Sequence, residues 1–273
     1  MILKRKNNSG QAVLIVLLSL SVVLVVVLFI LSRSITDISL STKEEDSSRA
    51  FSAAEAGVER ALVIGNSNGS LELATFDANV ASFAQGSSVV TFPLSLKSGD
   101  NALFWFKRIG ETTYNGNKAK FCWGDKNTAI DNQAPAIEVS AYYLQAGVYK
   151  IARYTLDPNS SRRASNNFTL ASSGTCTVDG EAFQFYSTID LPVTGTLEYT
   201  MVKMLYNTSI AHKIGIDVSV STNASKTLPS QGSKVESAGS YGDANRSIEV
   251  YQLHPETPPI FANAIYSSSG IVK

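Results

Sequence analysis

Every residue from Ala12 to Leu31 is apolar except Ser19 and Ser21. A helix of about twenty residues is about 30 Å long, the thickness of a bilayer's hydrocarbon core. Valine is frequent between Val22 and Val27. Lipid tolerates it, because a helix closes its own backbone hydrogen bonds there. No Pro or Gly separates this run from a polar, charged stretch. In that stretch Ile35, Ile38, Phe51, Ala54, Val58 and Ala61 recur at helical spacings, with a polar gap at 42–48. Glu45 and Arg49 form an i, i+4 pair, and Gly65-Asn66-Ser67-Asn68-Gly69 is a C-terminal stop. The pattern predicts one helix over 11–64, membrane-spanning at 12–31 and amphipathic at 32–64, about 80 Å long. Residues 50–57 are rich in Ala, Ser and Gly, a face able to pack closely on a sheet.

Beyond Gly65 the period changes. Leu71, Leu73, Phe76, Val80 and Phe83 sit at helix-like spacing and predict a short second helix within 71–86. Strand-like runs follow at Ser88–Leu96, Ala102–Ile109, Lys118–Trp123, Ala136–Leu144, Val148–Leu156, Ala182–Ile189, Leu197–Tyr206, His212–Val220, Arg246–Leu253 and Ala264–Ser267. Ile137, Val139 and Ala141 alternate with Glu138 and Ser140, as on an antiparallel sheet with one wet face. Gln145-Ala146-Gly147 and Asn207-Thr208-Ser209 read as hairpin turns. Asp157–Asn167 and Thr222–Asn245 read as loops. The expected fold class is α+β: a long N-terminal transmembrane and amphipathic helix, then a β-rich, mainly antiparallel region over 65–273 forming one domain or two small ones.

Charge gives the helix a direction. The 273 residues have a formal net charge of zero, and only 17% are charged. Lys4, Arg5 and Lys6 form the only basic run, so no nucleic-acid partner is expected. They precede the apolar segment, whereas Arg33, Asp37, Lys43, Glu44, Glu45 and Asp46 follow it. This bias places the N-terminus in the cytoplasm and residues 65–273 outside. The apolar run exceeds an ordinary signal-peptide core, and Leu31-Ser32-Arg33-Ser34 is a poor cleavage site for one, so the segment is expected to be retained. In an oxidising compartment Cys122 and Cys176 could pair and close a loop of about 55 residues, worth roughly 4 kcal/mol in the chain-entropy model. The other reading is two independent small core residues.

Candidate chemistry is sparse. No G-x-S-x-G elbow, P-loop, G-x-G-x-x-G or H-E-x-x-H occurs. His212, at a strand start, and His254, before Pro255, read as solvated or satisfied histidines. Asp125-Lys126-Asn127 with Asp131 lacks the Gly and distal Glu of a calcium loop. Arg162-Arg163 reads as a solvated turn, and Asn167-Phe168-Thr169 is a chance sequon. The chain is expected to be no enzyme and to need no metal or cofactor.

Taken together, the basic leader, Gly10 just before a spanning helix and an amphipathic continuation resemble a type IV pilin precursor. The block Arg49-Ala50-Phe51-Ser52-Ala53-Ala54-Glu55-Ala56-Gly57-Val58-Glu59-Arg60-Ala61 is similar to the AFxAAEAG(I/V)ERAL signature of PilX-type minor pilins. Three weaker likenesses extend the resemblance: Glu198–Tyr206, Lys234–Val250 and the tail Pro258–Tyr266. The resemblance implies that a prepilin peptidase cuts after Gly10 and leaves Gln11 as the new N-terminus. It also implies that other pilin subunits are partners through the helix. Major pilins carry Glu at the fifth mature position, where this chain has Ile15, and favour Phe or Met where it has Gln11. The expected role is therefore an accessory, tip or assembly-priming subunit of a pilus or pseudopilus at the membrane and cell surface. The runner-up is a membrane-anchored adhesin or binding domain that never polymerises; an anchored hydrolase is a third, weaker reading.

Overall fold

The structure is a computed structural model that describes residues 9–111, 113–223 and 226–256. Its first element is α1 (Ser9–Ile64), followed by β1 (Ser67–Leu71), β2 (Ala74–Phe83), β3 (Val89–Thr91), β4 (Asn101–Trp105), β5 (Lys118–Asp125), β6 (Ala136–Gln145) and β7 (Val148–Asp157). Then come α2 (Ser160–Asn166), β8 (Thr169–Leu170), β9 (Ser172–Val178), β10 (Glu181–Asp190), β11 (Thr196–Leu205), β12 (Ile214–Asp217), β13 (Gly232–Tyr241) and β14 (Ala244–Leu253). The class is α+β, with one long apolar N-terminal helix and a β-rich remainder. The chain divides into two compact units, and the cut falls at Val80 rather than at the end of the helix. One unit comprises the chain through Val80 together with Val235–Val250; the other comprises Ala81–Lys234 and the chain from Tyr251 onward.

The first unit sets α1 on a four-stranded sheet of order β1-β2-β13-β14. Gly65 ends α1 in the left-handed conformation, φ 83°, and its N–H donates to the Ala61 carbonyl. A side chain disfavours that conformation, so glycine suits the stop. The expected second helix over 71–86 is instead the β1–β2 hairpin. Ala74, Phe76 and Ala78 are buried while Thr75, Asp77 and Asn79 are exposed, a strand's period of two. Leu71 and Leu73, which suggested helical spacing, remain exposed. The expected loop Thr222–Asn245 likewise contains β13, in which Val235, Ser237 and Gly239 point inward and Glu236 and Ala238 outward.

The second unit holds two five-stranded sheets, ordered β3-β12-β5-β10-β9 and β4-β11-β6-β7-β8. Their registered pairs are antiparallel except β7 with β8, which is parallel. One core joins them: Phe121, Trp123, Phe185 and Ile214 from the first sheet meet Phe104, Ile137, Val139 and Met204 from the second. The indole N–H of Trp123 donates to the Pro135 carbonyl at 2.8 Å, satisfying the one polar atom of this buried ring. Ala146 and Gly147, both at positive φ, make the tight turn between β6 and β7. Asn207-Thr208-Ser209 is not a hairpin turn, because β11 and β12 lie in different sheets. The expected strands at Ser88–Leu96, Ala102–Ile109 and His212–Val220 shorten to β3, β4 and β12; Ala264–Ser267 lies outside the described residues. Strand β9 lacked the hydrophobic alternation that would mark it.

The segment Asp157–Asn167 is not a plain loop. Asn159 caps α2, its side chain accepting from the Ser161 N–H. Arg162, expected in a solvated turn, makes a two-pronged pair with fully buried Asp157, Nη2 to Oδ1 at 2.7 Å and Nε to Oδ2 at 3.1 Å. It also donates to the carbonyls of Asn132 and Ala134 and lies 4.1 Å from the Tyr206 ring centre. Removing one partner of a buried pair strands the other charge, at a cost of about 3–5 kcal/mol. Arg162→Ala is therefore expected to lower the melting temperature by roughly 6–12 °C for about 3 kcal/mol. Arg163→Ala, which loses one hydrogen bond to Phe168, should cost about 1 kcal/mol. Thermal unfolding followed by near-ultraviolet circular dichroism compares the two, and equal small effects would contradict the buried-network account.

Candidate functional site

The candidate site is α1 with the strands that receive it. From Val13 to Leu31 the large apolar side chains are 46–67% exposed, so no described part of the chain covers them. The mean hydropathy of the most apolar stretch is 3.5, and α1 is the one helix among the described residues long and apolar enough to cross a membrane. Both hydroxyls in the run are satisfied within it. Ser19 Oγ donates to the Val16 carbonyl at 2.9 Å and Ser21 Oγ to the Leu18 carbonyl at 2.8 Å. In hydrocarbon an unpaired hydroxyl is costly, so this back-bonding lets serine sit there. Gly10 and Gln11 lie in the first turns of α1. Ile15 is 64% exposed and brings an aliphatic group where a carboxylate would bring charge. The basic leader lies outside the described residues.

The outer part of α1 behaves differently from Ala50 onward. Ala50, Ala53, Ala54, Gly57, Val58 and Ala61 are buried. They recur every three or four residues, so they form one stripe. Two glycines let the backbones approach. A Cβ on Gly57 would collide with Ser237 Oγ and the Phe76 ring; a Cβ on Gly239 of β13 would collide with the Ala50 carbonyl and the Ala54 amide. The stripe is narrower than the sequence suggested: Ile35, Ile38 and Phe51 stay exposed at 68%, 65% and 46%. Of the remaining signature residues, Glu55, Glu59 and Arg60 are exposed and Ala56 is half-buried.

A polar rim borders the stripe. Arg49 reaches Glu45 through Nη2 at 2.8 Å, approaches Glu72 at 3.8 Å and lies 5.0 Å from the Tyr241 ring centre. The hydrogen bonds it donates to Glu45, then the charges around it, raise the Arg49 guanidinium above its ordinary pKa. It is a fixed cation at any working pH. Arg246 Nε donates to Ser47 Oγ at 2.8 Å. Asn66 Oδ1 accepts from the Val80 N–H at 2.7 Å, tying the segment after α1 to β2.

The other sequence candidates lie apart from this site. Cys122 and Cys176 are bonded and buried, in a small cluster with Val178 and Phe183. His212 is buried, its Nδ1 3.2 Å from Asp125 Oδ2. His254 packs edge-on against Trp105, and burial, then the Arg108 charge, lowers its pKa. Asp125 Oδ1 accepts from the Lys213 N–H and Asp131 Oδ1 from the Gln133 N–H. Among the described residues, no three His, Cys, Asp or Glu side chains cluster as a metal site would need. The sequence reading missed Phe76, Ser237, Gly239 and Tyr241 as the receivers of the helix. Their only signal was alternation of small with polar residues, which carries little hydrophobic contrast.

The chain matches no known family model, and no curated protein or solved structure is similar to it.

Gly57→Leu inserts a branched side chain between α1 and Phe76, and Gly239→Val does the same from the sheet side. Each is expected to cost about 1–3 kcal/mol by overpacking and to raise hydrogen exchange at residues 50–61. Glu59→Ala, on the exposed face, should stay within about 0.5 kcal/mol of the parent. Unchanged exchange in both glycine variants would contradict the close-packed stripe.

Proposed function

We propose that this chain is a minor-pilin-like structural subunit of a type IV pilus or related pseudopilus, in an accessory, tip or assembly-priming position. The observation that carries the reading is a single unbroken helix with two surfaces. Its inner part, through Leu31, is apolar on all sides and uncovered, while its outer part is clamped to a sheet from Ala50 onward. A helix apolar all round must lie in lipid or among other apolar helices. Exchange of one environment for the other is the step by which such a subunit leaves the bilayer and joins a filament. The signature residues divide to suit this: Ala50, Ala53, Ala54 and Gly57 hold the subunit's own sheet, and Phe51, Glu55, Glu59 and Arg60 remain on the free face.

In this reading the chain waits in the cytoplasmic membrane with its N-terminus inside. A prepilin peptidase removes the basic leader after Gly10, and Gln11 becomes the first residue. Ile15 then has a specific consequence. A carboxylate inside a helix bundle needs a cationic partner, since a buried unpaired charge is costly, and that need sets register between neighbours. With Ile15 the need is absent, so a regular repeat of this subunit along a shaft is not enforced.

Mass spectrometry of the N-terminus in native membranes tests the reading. The expected first residue is Gln11, and Gly10→Leu is expected to leave the leader attached. A chain that starts at Met1 in the parent would replace this reading with that of a membrane-anchored adhesin that does not polymerise.

A further inference from the structure

The β4-β11-β6-β7-β8 sheet of the second unit leaves one long strand edge open. Strand β7 pairs with β6 along its whole length, from Val148 opposite Gln145 to Leu156 opposite Ile137. On its other side β8 meets only Leu156 and Asp157. Among the described residues, no strand lies on that side of 148–155. Eight residues of strand present about 26 Å of edge. Alternate residues of such an edge point backbone N–H and C=O groups outward, so it is a template for another strand.

The side chains along this edge are accessible. Val148, Tyr149 and Ile151 are 58%, 74% and 47% exposed, and Lys150 and Arg153 are exposed as well. Branched and aromatic residues of this kind suit a strand that has a neighbour on each side. Ala152, Tyr154 and Leu156 pack toward the core. By the strand's period of two, Tyr149, Ile151 and Arg153 therefore face outward, and Lys150 faces the core side.

Charge decides what can dock there. Residues 148–155 contain Lys150 and Arg153 and no carboxylate. Lys150 Nζ donates to the neutral Gln145 Oε1 at 2.7 Å, and Arg153 lies 3.7 Å from Glu138 Oε1. A second copy would bring the same two cations to the same edge, and like charges opposite one another destabilise a strand pair. An inward-pointing charge on an edge strand acts against self-pairing in the same way. A strand with carboxylates opposite Lys150 and Arg153, and apolar residues opposite Tyr149 and Ile151, meets every one of these conditions.

We propose that the free edge of β7 is a docking site for an extended acidic segment of another protein, which joins the sheet as a further strand beside 148–155. Main-chain hydrogen bonds hold the segment, Lys150 and Arg153 select its carboxylates, and Tyr149 and Ile151 cover its apolar residues. This assignment is independent of any role in a pilus.

Amide hydrogen exchange of the full chain in detergent micelles tests it. The probe is a capped peptide, Thr-Glu-Thr-Val-Glu-Val-Thr, and its control is Thr-Lys-Thr-Val-Lys-Val-Thr. The acidic peptide is expected to slow exchange within 148–155 several-fold, and the lysine peptide to leave it unchanged. Lys150→Glu combined with Arg153→Glu is expected to reverse that preference, with exchange in β6 and β11 unaltered as the sign that the sheet stays folded. No protection by the acidic peptide, or equal protection by both peptides, would overturn the proposal. Protection of 148–155 that rises with the chain's own concentration would also overturn it, because the occupant would then be a second copy.

Discussion

The exposed apolar surface of α1 between Val13 and Leu31 constrains everything else. Fully burying one large aliphatic side chain is worth about 1.5–3 kcal/mol, so this stretch carries on the order of 30 kcal/mol of unmet burial in water. That exceeds the net stability of a typical domain. No described residue covers the segment, because α1 meets its own sheet only from Ala50 on. A bilayer fits its length and composition. In the proposed function, helices of neighbouring subunits take over that task.

The second constraint is distance. A helix comes closest to a sheet where the residues on its facing stripe are small. Ala50, Ala53, Ala54 and Gly57 on α1, with Gly239 on β13, meet that condition. Arg49, Arg246 and Asn66 then fix orientation around the rim. Because α1 continues unbroken from this clamp, any load on the apolar segment reaches the sheet through one continuous set of helical hydrogen bonds. The second unit is built on separate means: a core between two sheets, a buried Asp157–Arg162 pair and the Cys122–Cys176 bond.

How much of this was legible in the sequence depended on contrast between neighbours. The long helix was readable because a twenty-residue run broken only by Ser19 and Ser21 leaves no other period, and its end was readable from Gly65. Strands β6 and β7 were readable because large aliphatic residues alternate with polar ones around Ala146-Gly147. Strand β14 was expected at Arg246–Leu253, but the hairpin β1–β2 and the strand β13 were not readable. Their inward residues are small, such as Ala74, Ala78, Ser237 and Gly239, because the helix comes so close; the feature that makes the site also erases its hydrophobic signal. Arg162 was misread because nothing local marks Asp157 as buried. The division of the chain at Val80 was hidden too, since it depends on β13 and β14 returning to the first unit. The block Arg49–Ala61 contains both sheet-facing and free residues of α1, and only the structure separates the two.

The central claim is that α1 passes from lipid into a helical assembly with other subunits. Shearing surface filaments from cells and analysing them by mass spectrometry tests it most directly. The account predicts the chain in the filament fraction, beginning at Gln11, and its loss from that fraction when the prepilin peptidase is removed. A chain found only in the membrane fraction, with or without the peptidase, would contradict it.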